Sequence, residues 1–356
     1  MTSRERLTRC FFGKETDRPG VYTRTGYAND PSYNKLKAYM NEFSDLKPGY
    51  YSRGVMQQDH YEQVREPYSK DFDKITYTHK TPKGDLHQVL LTGLTGHPGM
   101  VMEHFIKDED DCEKYLSLPR PQIIGNCHKF FEIDRQVGGR GITDAMLGKN
   151  PVSVLAELMG SETFAILSVT HRDLIHEMCA RELDIILQLL DFLVDAGVGP
   201  FFSMLGQEYI VPPLHGRQDF FDFNVKYDKP IADKIHNAGG RLHIHCHGPL
   251  KLVLDGFLEI GADVLHPIEP PPMGNVTAAE AREILGDKIC IEGNIQISHM
   301  YECTPQQIYD ETKALIRDAY VDNKGLIISP TASPYIPLQG EACFAQYKAM
   351  VEAALK

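Results

Sequence analysis

The sequence is short of positive charge. Lys and Arg number 37 against 49 Asp and Glu, a net charge of −12 over 356 residues. No basic stripe is available to neutralise phosphates, which argues against nucleic acid as a partner. Cysteine is present but never paired. The eight, at 10, 112, 127, 179, 246, 290, 303 and 343, form no CxxC and no zinc-finger spacing. Cys246 and Cys290 lie in apolar runs, as buried free thiols do. Scattered thiols fit a reducing compartment, so a cytoplasmic location is expected. The polar start Met-Thr-Ser-Arg-Glu-Arg lacks an apolar signal core, and no apolar run reads as long enough for a bilayer, so no membrane partner is expected. Neither G-x-G-x-x-G nor G-x-x-x-x-G-K-[ST] occurs: Gly197-Val198-Gly199 runs into Pro200, and Gly148-Lys149 into Asn150. That argues against an open dinucleotide-binding sheet and against a P-loop. No low-complexity or Pro/Ser-rich linker divides the chain.

What is present is a rhythm. Short β-type runs at Gly199–Met204, Arg241–His247, Ala262–Ile268, Lys288–Ile295 and Gly325–Pro330 alternate with helical segments at Asp219–Ala238, Pro249–Ile260, Thr277–Leu285, Thr304–Ala319 and Gln339–Leu355. Thr277-Ala278-Ala279-Glu280 reads as a capping box, and Pro305 as the first-turn proline of the next helix. Repeated strand–helix units imply a parallel sheet. With no dinucleotide fingerprint, the preferred architecture is an α/β fold, a (β/α)8 TIM barrel. The first half is less regular. Pro19–Tyr27 is the candidate first barrel strand, residues 28–70 read as loop and short helix, and Ile75–His79 with Leu86–Thr92 flank a turn at Thr81–Asp85, predicting a β-hairpin. His171–Ala196 is a long helical stretch. The expectation is therefore one domain over 1–356, with 1–150 holding a first strand and decorating segments and 151–356 the regular β/α units.

Within that frame Arg241–Gly248 stands out. On a strand, alternate side chains share a face, so His243, His245 and His247 fall together, opposite Ile244 and Cys246. Imidazole is the commonest metal ligand and titrates near neutral pH. A lone histidine is more often a satisfied core residue; three in register favour a cluster. Barrel active sites lie at the C-terminal strand ends, and here those ends carry Glu208, then His245 and His247, then His266 and Glu269, then Glu292 and Asn294. Two His and one Glu around an open position make a catalytic zinc set, so Glu208, His245 and His247 are the candidate metal ligands. Each has a bland alternative: Glu208 as a loop charge, Glu269 as a loop anchor before Pro270, Asn294 as a helix cap, His266 as a core residue. His215, on a Pro/Gly loop, is placed to close over a ligand. Tyr22, Tyr27 and Met204 are candidates to shape an aromatic pocket.

Several of these segments resemble the uroporphyrinogen decarboxylase superfamily, and more narrowly its corrinoid-linked methyltransferase branch. The similar segments are Arg4-Glu5-Arg6-Leu7 with Gly13–Pro19, the hairpin Thr81-Pro82-Lys83-Gly84-Asp85-Leu86, His245-Cys246-His247-Gly248 at an HxCG zinc motif, Glu292-Gly293-Asn294-Ile295, and Cys303-Thr304-Pro305-Gln306-Gln307. The sequence departs from the branch's thiol-activating members. His247 stands where the first metal-binding Cys would be, and Ala332 falls near the second. A zinc without thiolates is a harder Lewis acid that suits oxygen ligands. The resemblance then implies an O-demethylase component: a methyltransferase taking methyl from a methoxylated aromatic and passing it to cob(I)alamin on a separate corrinoid protein. Glu208, His245 and His247 would hold zinc or activate the ether, and Glu269, Glu292 and Asn294 would orient or protonate. The alternatives are a uroporphyrinogen-type decarboxylase, which needs converging arginines (Arg24, Arg53, Arg140 and Arg217 are the candidates), and a zinc-dependent thiol methyltransferase.

Overall fold

The structure, a computed structural model, describes residues 1–24, 29–94 and 98–356. Twelve strands are defined in chain order: β1 (Gly20–Val21), β2 (Gly49–Tyr51), β3 (Glu62–Pro67), β4 (Phe72–Thr81), β5 (Gly84–Gly93), β6 (Met100–Glu103), β7 (Asp144–Lys149), β8 (Phe201–Leu205), β9 (Arg241–His245), β10 (Val264–His266), β11 (Cys290–Ile295) and β12 (Leu326–Pro330). Eight of them form one parallel sheet in the order β1-β12-β11-β10-β9-β8-β7-β2. From β7 to β12 each strand pairs with the next, while β1 pairs with β12 and β2 with β7 at the two edges. The seam between β1 and β2 is bridged at Asp45, whose N–H donates to the Val21 carbonyl at 2.8 Å while its carboxylate accepts from the Val21 N–H at 2.9 Å. Arg6 and Arg18 both pair with this buried carboxylate. The expected TIM-barrel architecture is present.

Side-chain alternation decides what faces the interior. On β9, Leu242 and Ile244 join the main hydrophobic core beneath the helices, so His243 and His245 project inward between them. The N-terminal helix Ser3–Phe11, opened by a Thr2–Glu5 capping box, lies across the opposite end. Its Leu7, Cys10 and Phe11 pack with Ile142, Phe201, Val264 and Cys290, at or just before the first residues of β7, β8, β10 and β11. Phe11 stacks on His243 at a ring separation of 6.4 Å.

The predicted hairpin is β4–β5, joined by Pro82-Lys83 and extended by β3 and β6 into a four-stranded antiparallel sheet. The capping boxes at Thr277 and Thr304 form as read. Three differences remain. Among the described residues the first barrel strand covers only Gly20–Val21 of the expected segment, paired with β12 on one edge and met by Asp45 on the other. A barrel strand, β2, lies inside the segment read as loop; it has only three residues, too few for a period to show. Helix Pro151–Thr170 carries apolar residues on every side and is broken by Gly160 at φ 72°, which blurs its period. This helix also corrects the expectation that no apolar segment could cross a bilayer, since by length and composition it could. In the fold 44% of its most apolar window is buried, with Val152, Leu155, Met159 and Phe164 in a second core.

Candidate active site

β9 and β10 end side by side, pairing His245 with His266. Their Nδ1 atoms lie 2.8 Å apart, with the rings stacked at 5.0 Å. The Nε2 of His266 is 3.1 Å from the Pro330 carbonyl at the end of β12. A carbonyl only accepts, so this nitrogen carries the proton. Burial pushes the His266 pKa down to about 3, which keeps the ring neutral. Its Nδ1 is then an acceptor, and the Nδ1–H of His245 must donate to it. Burial, with His266 and His247 beside it, also drives His245 far below the ordinary histidine range. A neutral His245 with its proton on Nδ1 presents a bare lone pair on Nε2.

His247 lies past the end of β9, so the shared-face argument reaches it only through the following turn. Its ring nevertheless meets His245 edge-on, 4.7 Å away at 86°. Its Nδ1 is 3.2 Å from Glu269 Oε1, and Glu269 Oε2 accepts from the Gly248 N–H at 3.0 Å. Burial alone would raise the Glu269 carboxyl; these two donors hold it below the usual carboxylate range. Among the described residues neither Nε2, of His245 or of His247, has a hydrogen-bond partner. Histidines oriented through Nδ1 by a second shell are the form in which imidazole binds metals.

Glu208 stands in the turn Gln207–Ile210 after β8. Its Oε2 is enclosed and unpartnered. Burial raises its carboxyl, against the pull of His247. The expected three-ligand cage is not assembled: among the described residues, no group of three His, Cys, Asp or Glu side chains is arranged to hold a metal. The rings of His245 and His247 stand nearly perpendicular, the one turned to His266 and the other to Glu269. The donor chemistry still fits a metal at His245 Nε2, His247 Nε2 and Glu208 Oε2, the last a buried acceptor with nothing to accept from.

Other expected residues are placed elsewhere. Glu292 is not at the mouth. It lies deep in the barrel, 2.6 Å from Lys47 Nζ and 3.4 Å from His243 Nε2. The His243 contact is off the hydrogen-bond direction, so both ring nitrogens of this buried residue are unpartnered. Burial would raise the Glu292 carboxyl, but Lys47 and His243 hold it well below the usual range. Asn294 brackets Ile268, accepting from its N–H at 3.0 Å and donating to its carbonyl, and so fixes the chain just before Glu269. Tyr22 is close to this inner group, its ring 5.0 Å under Lys47 Nζ. Met204 pairs with Ile244 on the outward register and belongs to the core under the helices, whereas Leu205 is the residue beside His245. His215 is buried against Phe164 and 3.8 Å from Asp219, facing a helix. Tyr27 lies outside the described residues.

Sequence reasoning missed Lys47, a single lysine in a loop with no pattern to mark it. It treated His266 as packing, although its spacing from Pro267 and Glu269 at a strand end carried the signal. The candidate arginines do not converge. Arg53 donates to the carbonyls of Leu147 and Lys149, Arg140 to those of Asn41, Glu42 and Ser44, and Arg217 pairs with Asp255 on the surface. Arg24 alone borders the inner group, lining a cleft of about 670 Å³ with Tyr22 and Lys47.

Comparison with known proteins fits this architecture. No curated protein matches the sequence. Among solved structures, a methyltransferase from Methanosarcina mazei superposes with a TM-score of 0.61 at 15% identity, covering 99% of each chain. A B12-independent methionine synthase from Shewanella sp. W3-18-1 gives a TM-score of 0.44 at 13% identity, over 66% of this chain and 69% of that one. In sequence, residues 99–355 match the uroporphyrinogen decarboxylase (URO-D) family. That match runs from β6 to the last helix and takes in every strand end that carries the imidazoles and carboxylates, so the chain belongs to the uroporphyrinogen decarboxylase family.

Proposed function

We propose that this protein is a methyltransferase that removes a methyl group from a methoxylated aromatic and hands it to cob(I)alamin on a separate corrinoid protein. One observation carries the reading: two imidazoles with unpartnered Nε2 atoms, that of His245 held neutral, stand beside a half-buried carboxyl of raised pKa, at the C-terminal ends of β8 and β9. An aryl ether is cleaved only if its oxygen is stabilised as the C–O bond breaks. Glu208 is suited to this as a general acid, because burial favours its protonated form. In the transfer, the electron pair of cob(I)alamin attacks the methyl carbon, the C–O pair stays on oxygen, and the Glu208 proton goes to that oxygen. Methylcob(III)alamin and a phenol result.

Zinc, if bound, would be held by His245, His247 and Glu208, the last then as a carboxylate rather than an acid, and would supply Lewis acidity toward the ether oxygen in place of the Glu208 proton. Glu269 and His266 orient the two imidazoles, and Asn294 keeps the Glu269 loop in place. A decarboxylase acting on a polyanionic tetrapyrrole is less well supported, because Arg53, Arg140 and Arg217 are engaged with carbonyls or with a surface carboxylate. A thiol acceptor is less well supported because no thiolate joins the cluster; Cys246, the nearest, is fully buried and its thiol pushed well above its ordinary range by burial and by Glu208.

The test is to mix the protein with guaiacol and a reduced corrinoid protein and to follow the spectrum. Conversion of cob(I)alamin to methylcob(III)alamin, with stoichiometric catechol, is the expected result. No conversion with guaiacol or any other aryl methyl ether, together with carbon dioxide release from uroporphyrinogen, would overturn the reading. Metal content of the purified protein, by plasma emission, tests the zinc separately.

A further inference from the structure

Glu208 is held by what lies beneath it. Gly206 opens its turn at φ 112°, and a Cβ there would sit 2.0 Å from Ser153 Oγ, so the turn packs directly on the start of helix Pro151–Thr170. The next residue, Gln207, is gripped at both ends. Its Nε2 donates to Asp228 Oδ2 at 2.8 Å, and its carbonyl accepts from Asn224 Nδ2 at 3.2 Å. Asn150 Nδ2 then ties the group together, 2.8 Å from Asn224 Oδ1 and 3.1 Å from both carboxylate oxygens of Asp228. Asn150, Gln207, Asn224 and Asp228 are all 0% exposed. They come from the end of β7, the turn after β8, and the helical segment that follows it. Asn224 stands in a π-type turn, Phe220–Val225, a widening that recurs at functional sites.

Stability alone gives no reason for this cluster. Among the described residues Asp228 has no ion pair, and burial pushes its carboxyl up to about 7. Apolar side chains of the same volume would avoid that desolvation cost. What the arrangement does achieve is direction: the amides of Asn150 and Gln207 point at one carboxylate, which fixes the residue immediately before Glu208 from both its side chain and its backbone.

We propose that Asp228 is a positioning residue for Glu208, acting through Gln207 to hold the 206–210 turn so that the Glu208 carboxyl stays beside His247. This rests on the reading of Glu208 and His247 as part of the reactive site. Asp228 touches neither of them.

Three variants test it: Asp228→Asn, Gln207→Met, and the reciprocal pair Asp228→Asn with Gln207→Glu, which restores the link with donor and acceptor exchanged. Amide hydrogen exchange is read along the whole chain, and methyl transfer to cob(I)alamin beside it. The expected result is exchange at residues 206–210 faster by about tenfold or more in the first two variants, the scale of one charged hydrogen bond, with β9–β12 unchanged. Turnover should fall as far as in Glu208→Gln, adding Glu208→Gln to Asp228→Asn should cost nothing further, and the reciprocal pair should return exchange and turnover to within about threefold of the natural protein. Unchanged exchange at 206–210 in both single variants would overturn the proposal. So would faster exchange throughout the barrel, or turnover losses that add to that of Glu208→Gln. Should the natural protein transfer no methyl group, the exchange measurements still decide the positioning, and only the functional reading falls. Gln207→Met leaves Asp228 its bonds from Asn150, and so serves if Asp228→Asn fails to fold.

Discussion

Two carboxylate–imidazole groups share the interior of this barrel, and they are built to opposite ends. The inner one, Glu292 with His243, is closed by a cation: Lys47 lies 2.6 Å from the carboxylate, and Phe11 lids the imidazole. The outer one, Glu208 and Glu269 with His245 and His247, has no lysine or arginine in contact among the described residues. There the acceptors, His266 Nδ1 and the Glu269 carboxylate, take the Nδ1 protons of His245 and His247, which leaves each Nε2 bare. The same residue types thus make a charge-matched brace at one depth and an unmatched, acceptor-rich surface at the other. Unmatched buried polar atoms are costly and call for an explanation. At the inner level Lys47 matches the charge of Glu292, while both ring nitrogens of His243 stay unpartnered.

The contrast can be broken at either end. The largest effect is expected at the mouth. Glu208→Gln should lower methyl transfer by about 10²–10⁴-fold, the range of a general acid, with thermal unfolding little changed; steady-state turnover beside calorimetry checks both. At the inner level the order reverses. Lys47→Met leaves Glu292 buried and uncompensated and should destabilise the fold by about 3–5 kcal/mol, measured by urea unfolding, and Glu292→Gln in the same chain should recover part of it. A loss of turnover without a loss of stability in Lys47→Met would erase the distinction between the two groups.

His266 sharpens it further. Replacing it with Phe frees the His245 tautomer and should cost about 10–100-fold in turnover or metal affinity. It should also alter the pH dependence of stability. The folded pKa of about 3 lies below the ordinary value of 6.5, so the unfolded chain binds this proton first. The stability is therefore fully present above about pH 6.5 and declines as pH falls toward 3, by up to ~1.4 kcal/mol per pH unit for this residue. His266→Phe should flatten that slope in unfolding curves taken from pH 7 to 4. The smallest effect is expected at Arg217, whose pair with Asp255 is about half exposed. Arg217→Gln should change stability by no more than ~1 kcal/mol and turnover not at all. A marked loss of activity there would reopen the arginine-dependent reading.

How much of this was legible in the sequence follows from the range of each interaction. The regular β/α units could be read because each strand and helix writes its own period, and Thr277 and Thr304 announce their helices by local capping. β2 and the helix at Pro151–Thr170 could not be read, the one too short and the other apolar all round. At the site, the convergence of His245 and His247 follows from their neighbouring positions in the chain. Their orientation does not, because His245 depends on His266 and Pro330 and His247 on Glu269, all contributed by other segments. The inner brace was the least visible. Lys47 and Glu292 stand 245 positions apart, and neither carries a local mark of the other.

The helix Ser3–Phe11 has a consequence for any truncated form of the protein. It is the stopper of the vessel. Without it, bulk water would reach His243 and Glu292 from below, and the difference between the two depths of the barrel would fade even though every residue of the mouth remained in place.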